Sequence, residues 1–548
     1  MKNLRKFVLS ALLLCGVSFL MKTVGVSFNV YVSNRAGAET MGLYSLLSGV
    51  YGFALTFATS GISLATMRLV AEALGVGDPT RTRKSLKCCL IYSLSFGGAA
   101  TLLLFFLAKP IALHLLDDMR TLVPIRILTL SLMPISLSSV FSGYFTAVRS
   151  VHKNAFVQIS EQAIRIFSIS FFLTRLLPYG IEAACIALAA GGVISDFVSF
   201  LLALIEFLRD QKKHETANIV TNDTKAEKIP KKLLGIALPV AFSAYARSGL
   251  ISLEHMLIPI GLRKSGNSRE VALATYGRLQ SMVLPIILFS SALITSFAGI
   301  LIPEITECRV QNNKRQIQYI SERMIQLSLL FSIGVAGVLI FFSNELGNVI
   351  YPNQNTAPYI RMLAPLIPIM YIDSGVDAVL KGMGKQVYSM TVNIIDAGLS
   401  VILVWFLVPQ FGIYGYIATI YATETVNTIL SVSKLLEISH MKPRLLKCLV
   451  GPLFCIVSAT AIAKPLLSLS GTCEATALGL TLHILLLASL YVLFLVLCSV
   501  FDKKDMEWIF GIFKKKEKTP ASVSLAGSKF NQNDEPRRSP YQEAQDRR

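Results

Sequence analysis

A lysine stands inside the apolar run LLCGVSFLMKTVGVSFNVYV, residues 13–32. The run is long enough to cross a bilayer, where a cation at mid-depth costs roughly 2.5–3.5 kcal/mol. Lys22 either snorkels to a headgroup layer or faces something that favours positive charge. A second cation, Arg247, holds the matching place in a later run. Lys22 follows Lys6 by 16 residues, and Arg247 follows Lys232 by 15. At 1.5 Å per residue both lie about 22–24 Å along their helices. The matched depth argues for a shared, water-filled cavity that attracts an anion. Arg278, near the end of a further run, either adds to that surface or rests at the interface.

The acids divide into pairs and singles. Glu254 lies seven residues after Arg247 on one helical face and could pair with it, while His255 beside it reads as a packed polar residue. Glu161 and Arg165, four apart, are expected to form a neutralised intrahelical pair. Asp373 and Asp377 share a face and could hold a cation, but two carboxylates fall short of a complete site. Asp196, Asp396 and Glu424 each stand alone in an apolar run. Coupling to Na+ or H+ and hydrogen bonding between helices are both open to them. No phosphate-binding loop, zinc-binding HExxH, nucleophile elbow or His/Cys cluster is present, and the GMGK at 382–385 lacks the flanks of a phosphate loop. No catalytic residue, cofactor or metal site is therefore expected. A carrier driven by an ion gradient or the membrane potential is the simplest class.

The elements that must position these charges are legible in composition. Of 548 residues, 53% are hydrophobic and 16% charged, with a mean hydropathy of +0.59. Apolar runs of about 20 residues repeat along the chain, as in an all-α polytopic membrane protein. The nine cysteines are scattered and read as small hydrophobes. The start, MKNLRKFVLSALLLCG, imitates a signal peptide, but its apolar run continues to about Tyr31 and is expected to remain as the first span. Runs and charged breaks predict about 14 spans. With the N-terminus in the cytoplasm, inner segments ahead of the tail hold roughly three times the Lys and Arg of outer ones. Both termini are therefore expected inside. The net charge of +19 is largely this topology signal, with a contribution from anionic lipid headgroups, and is not a nucleic-acid footprint.

The two halves echo one another. Shifted by 235 residues, positions 40–72 (TMGLYSLLSGVYGFALTFATSGISLATMRLVAE) lie on 275–307 without a gap, and shifted by 232, GYFTAVRSVHK at 143–153 lies on GVDAVLKGMGK at 375–385. Both halves begin on an odd-numbered span, so the repeat is parallel, and a substrate site is expected where the halves meet. The expected organisation is a six-helix bundle over 1–208, a basic cytoplasmic linker over 209–232 and a second six-helix bundle over 233–436. Two further spans follow over 437–500, then a polar, basic tail over 501–548 that is expected to be disordered and cytoplasmic.

The stretch FNVYVSNRAGAETMGLYSLLSGVYGFALTFATSGISLATMRLVAE (28–72) and the later LKGMGKQVYSMTVNIIDAGLSVILVWFLVPQFGIYGY (380–416) resemble the multidrug/oligosaccharidyl-lipid/polysaccharide exporter superfamily. The resemblance is to its polysaccharide-biosynthesis branch, which includes stage V sporulation and lipid II flippase proteins. It implies two bundles around an inner cavity lined by spans 1, 2, 7 and 8, with spans 13 and 14 extending a groove for a lipid tail. The implied task is movement of undecaprenyl-diphosphate-linked saccharides, peptidoglycan precursors among them, from inner to outer leaflet of the bacterial cell membrane. A place in spore-cortex or cell-wall synthesis, beside its enzymes, goes with it. Lys22 in KTVG matches the basic residue of the first span in the lipid II flippase branch. The arginine that often follows six residues on is Phe28 here. Two other readings stay open: a cation-coupled multidrug exporter of the same fold, with carboxylates lining its cavity, and a non-transporting scaffold for cell-wall enzymes.

Overall fold

Gly37 has φ +81° and ψ 165°, a conformation that residues with a Cβ rarely adopt. It divides α1 (Lys2–Thr59) into two limbs. A computed structural model describes residues 2–500 apart from 77–78, 149, 216–228, 440, 442–445, 470–476 and 499. The expected tail over 501–548 and most of the expected linker lie outside the described residues. After α1 come α2 (Ile62–Val76), α3 (Pro79–Pro110), α4 (Leu122–Ala147), α5 (Val151–Leu176) and α6 (Ile181–Glu215). The second half holds α7 (Ile229–Lys264), α8 (Arg269–Gly277), α9 (Leu284–Phe289), α10 (Ser291–Val310) and α11 (Lys314–Phe341). It continues with α12 (Ser343–Ile350), α13 (Ala357–Leu363), α14 (Ile367–Gly382), α15 (Gln386–Phe411) and α16 (Ile413–Ser439). The hairpin of α17 (Gly451–Leu469) and α18 (Ala477–Leu497) packs on α11.

Within the first half α2, α3, α4 and α6 close on Ile62, Leu69, Leu86, Phe141, Phe145 and Phe207, all buried. In the second half α7 packs on α15, α15 on α16, and α14 on α10, α11 and α16. Twelve stretches among the described residues are long and apolar enough to span a membrane, two fewer than the fourteen expected. Two places account for the difference. The Gly37 kink leaves both limbs of α1 and the following α2 in one continuous stretch, Leu20–Gly75, and the 27-residue α16, with its Thr-Glu-Thr-Val-Asn interior, does not qualify.

The repeat is visible in how helices break. The second limb of α1 stops at Thr59 and resumes as α2 after Ser60 and Gly61; α9 stops at Phe289 and resumes as α10 after Ser290. Under the 235-residue shift Gly42 corresponds to Gly277, and these two glycines touch. A Cβ on Gly277 would lie 2.1 Å from the Ala38 carbonyl oxygen and 2.5 Å from the Gly42 nitrogen. A Cβ on Gly42 would lie 1.9 Å from the Leu273 carbonyl oxygen. Two helices cross here at backbone contact, which only glycine permits.

Candidate functional site

Between the halves lies a cavity of about 550 Å³, within the size range of small-molecule sites. From α1 it receives Asn29, Ser45, Ser48 and Thr56, from α7 Ser248, Ser252 and His255, and from the segment after α8 Gln280 and Ser281. That segment, Arg278–Val283, is a π-helical turn, a local widening that often marks functional places in helices. Its cause is partly legible: Pro285 has no N–H to return to the carbonyl four residues back. That carbonyl belongs to Ser281, and it accepts from Asn29 Nδ2 at 2.6 Å, tying the first helix to the second half. Gly49 lets α7 approach α1, since a Cβ there would lie 2.9 Å from that of His255, and Ser252 Oγ donates to the Gly49 carbonyl at 2.6 Å. His255 Nδ1 stands 2.6 Å from the buried Tyr276 hydroxyl.

Both ends of the cavity are bridged between halves. At the end carrying the loop 111–121, the Gly42–Gly277 crossing is flanked by ion pairs. Arg263 donates to Asp117 at 2.7 Å, and Arg269 lies 3.2 Å from Asp118. Arg120 reaches both Asp118, at 2.9 Å, and Glu39, at 3.3 Å. The Arg263 hydrogen bond holds the Asp117 carboxyl below its ordinary value. Burial pushes the other way at Asp118, but hydrogen bonds from the Arg120 side chain and backbone outweigh it and hold that carboxyl low as well. At the opposite end Lys232 meets Glu72 at 2.6 Å, and Gly61, with φ +77°, approaches the Ala237 backbone.

The cavity wall named above carries no charge. Lys22 precedes the lining Asn29 by seven residues on the same helical face, and its Nζ donates to Ser291 Oγ at 3.3 Å. Arg247 immediately precedes the lining Ser248, and its charge reaches Asp373, Asp396 and Glu424. Arg278 opens the π turn half-buried, with its Nε lacking a hydrogen-bond partner. Glu254 is hydrogen-bonded by Ser400; no ion pair joins it to Arg247 among the described residues. Asp377 pairs with Lys381 at 2.5 Å and bonds Ser389, while Asp373 accepts from Asn427 at 3.4 Å. Asp396 on α15 and Glu424 on α16, which looked solitary, thus share one polar well with Asp373 of α14 inside the second half. Among the described residues no three His, Cys, Asp or Glu are placed to hold a metal ion.

In the first half Arg165 Nη2 donates to Glu161 Oε1 and to Asp196 Oδ1, both at 2.9 Å. Ser199 completes Glu161 at 2.9 Å, and Arg165 Nε reaches Ser195 at 3.2 Å. Asp196 therefore belongs to the Glu161–Arg165 pair. Sequence reasoning did not single out Asn29, Gln280, Ser281 or the Asp117–Asp118 cluster. Two signals pointed there: Gly42 and Gly277 share a place in the repeat, and Pro285 follows Ser281 by four.

Known proteins decide the family. A polysaccharide biosynthesis protein family model matches residues 4–253, and a MatE model matches 266–406. Stage V sporulation protein B of Bacillus subtilis is 29% identical over 79% of this chain and 85% of its own length. Lipid II flippase MurJ of the same organism is 20% identical over 70% of this chain and 74% of its length. Among solved structures, "Lipid II flippase MurJ, inward closed conformation" aligns with a TM-score of 0.67 at 14% identity, over 90% of this chain and 99% of that one. The chain belongs to the multidrug/oligosaccharidyl-lipid/polysaccharide exporter superfamily. As a member of that superfamily it is a multi-pass bacterial membrane protein of the transporter class and not an enzyme.

Proposed function

We propose that this exporter-superfamily protein is a flippase. It carries an undecaprenyl-diphosphate-linked saccharide, of peptidoglycan- or polysaccharide-precursor type, from the inner to the outer leaflet by alternating access. One observation carries the reading: a polar chamber between repeat-related halves, shut at one end by the Gly42–Gly277 crossing, with Lys22 on the first helix toward the other end. With the N-terminus inside, the shut end faces outward and Lys22 meets the headgroup as it enters from the cytoplasm, while the polyprenyl tail stays in lipid. A diphosphate offers the anion that a lysine at this depth favours. Arg247 and Arg278 flank the chamber and add positive potential. Glu254, Asp373, Asp396 and Glu424, with Asp196 in the first half, are the groups through which Na+ or H+ would couple. The similarity to a sporulation protein supports a place in spore-cortex or cell-wall synthesis.

The double variant Lys22→Ala/Arg247→Ala, reconstituted in proteoliposomes, is expected to lose at least tenfold in translocation of a polyprenyl-diphosphate sugar at unchanged abundance. Retained transport would count against the reading. The second reading, a cation-coupled multidrug exporter, is favoured by the acidic well around Arg247. It predicts transport of cationic dyes abolished by Asp373→Asn and indifferent to Lys22→Ala.

A further inference from the structure

The serine and threonine hydroxyl protons of the chamber are largely committed. Ser48 donates to the Tyr44 carbonyl at 2.8 Å, Thr56 to that of Gly52 at 2.8 Å and Ser252 to that of Gly49 at 2.6 Å. Ser248 donates to Thr56 Oγ1 at 3.0 Å. Ser281 lies 3.3 Å from the Met41 carbonyl and also meets the Ser45 hydroxyl, so the two serines share their protons between themselves and that carbonyl. What these side chains turn toward the chamber is lone pairs. The remaining donors are neutral: the amide of Gln280, whose Oε1 is met by the Tyr416 hydroxyl at 3.4 Å, the second N–H of Asn29, the Tyr44 hydroxyl and the His255 ring. None is charged.

Such a wall suits a ligand that brings its own O–H and N–H donors. It opposes one that offers only acceptors, because each anionic oxygen would face lone pairs with its own hydration removed. Resting on the flippase reading, we infer that the chamber selects an uncharged saccharide and excludes carboxylate-bearing sugars, while the diphosphate stays at Lys22. The separation fits: Lys22 and Asn29 are seven residues apart on one helical face, about 10 Å along the axis. The headgroup then lies along the first helix, with phosphates toward the entrance and sugar toward the shut end. Ser45, Ser48 and Ser252 are specificity residues in this arrangement, and Lys22 is the anion anchor.

The test uses the full chain in proteoliposomes with two probes, polyprenyl-diphosphate glucose and polyprenyl-diphosphate glucuronic acid, which differ by a carboxylate on one ring carbon. Glucose is expected to move at least tenfold faster. Ser48→Arg, which puts a charged donor on the wall, is expected to raise the glucuronate-to-glucose ratio at least tenfold. Lys22→Ala is expected to slow both probes equally and leave the ratio alone. Equal rates for the two probes in the unaltered protein, both sensitive to Lys22→Ala, would overturn the selection while leaving the flippase standing. Movement of neither probe overturns the flippase and the selection together. The wild-type ratio decides the matter even if Ser48→Arg does not fold.

Discussion

Replacing Asp117 and Asp118 by asparagine removes the negative charges that pair with two arginines reaching across from the second half. The Asp117–Arg263 pair is exposed, with side chains 60% and 41% accessible, and is worth about 0.5 kcal/mol after solvent screening. Asp118 is only 4% accessible against 37% for Arg269, so that partly buried ion pair is worth about 1.5 kcal/mol, between the exposed and the fully buried cases. Arg120 belongs to the same half as Asp118, and its bond is lost equally whether this end is shut or open. Opening is thus favoured by about 2 kcal/mol, roughly thirtyfold in the shut–open equilibrium. The assay is the labelling rate of Ser48→Cys by a membrane-impermeant maleimide added outside, with the native cysteines replaced by serine. Chamber labelling through a rarely open end scales with the open fraction, so the rate should rise about thirtyfold. Both carboxyls lie below their ordinary value of 3.8 in the shut form. Their contribution is therefore complete above that value and lost only as pH falls through the lowered one, so labelling corrected for the thiolate fraction at each pH should be flat from about pH 5 to 8. Salt at about 1 M should remove the exposed pair alone and raise the rate two- to threefold. A rate within twofold of the unaltered protein in the double variant refutes the latch.

Gly42→Ala or Gly277→Ala forces a methyl into backbone and should cost at least about 3 kcal/mol of the shut state, seen as a lowered Tm and raised Ser48→Cys labelling. Arg165→Met strips the partner from Glu161 and Asp196 and should cost about 3–5 kcal/mol. The triple variant with Glu161→Gln and Asp196→Asn should recover most of that Tm, and no recovery would mean that the network is not electrostatic. Deletion of Lys514–Arg548 should leave translocation within twofold. Loss of cell-wall function with transport intact would point to the scaffold reading.

Legibility followed range. The Glu161–Arg165 pair could be read directly because four residues on one helix are neighbours by construction. The repeat could be read because copying preserves order, and it led to Gly42 and Gly277 as equivalent positions without revealing that they touch. Asp196, 31 residues beyond Arg165, looked solitary because its partner lies on another helix. The same held for Asp396 and Glu424, which three helices bring together with Asp373 into one well with Arg247. Arg247 itself was matched to Lys22 by depth; depth along a helix carries no information about azimuth, and its charge bears on the acids of its own half.

Hydropathy, the spacing of charged breaks and the internal repeat determined, from the chain alone, a polytopic helical membrane protein with paired halves and cations set deep in the first helix of each. Those properties depend on residues near one another in the sequence and on the thickness of a bilayer. Only the tertiary structure decided that the chamber is walled by hydroxyls and amides, that arginines of one half shut its end against aspartates of the other, and that the deep acids share a well. Hydrogen bonds and ion pairs act over a few ångströms, and here they join residues separated by as much as 316 positions.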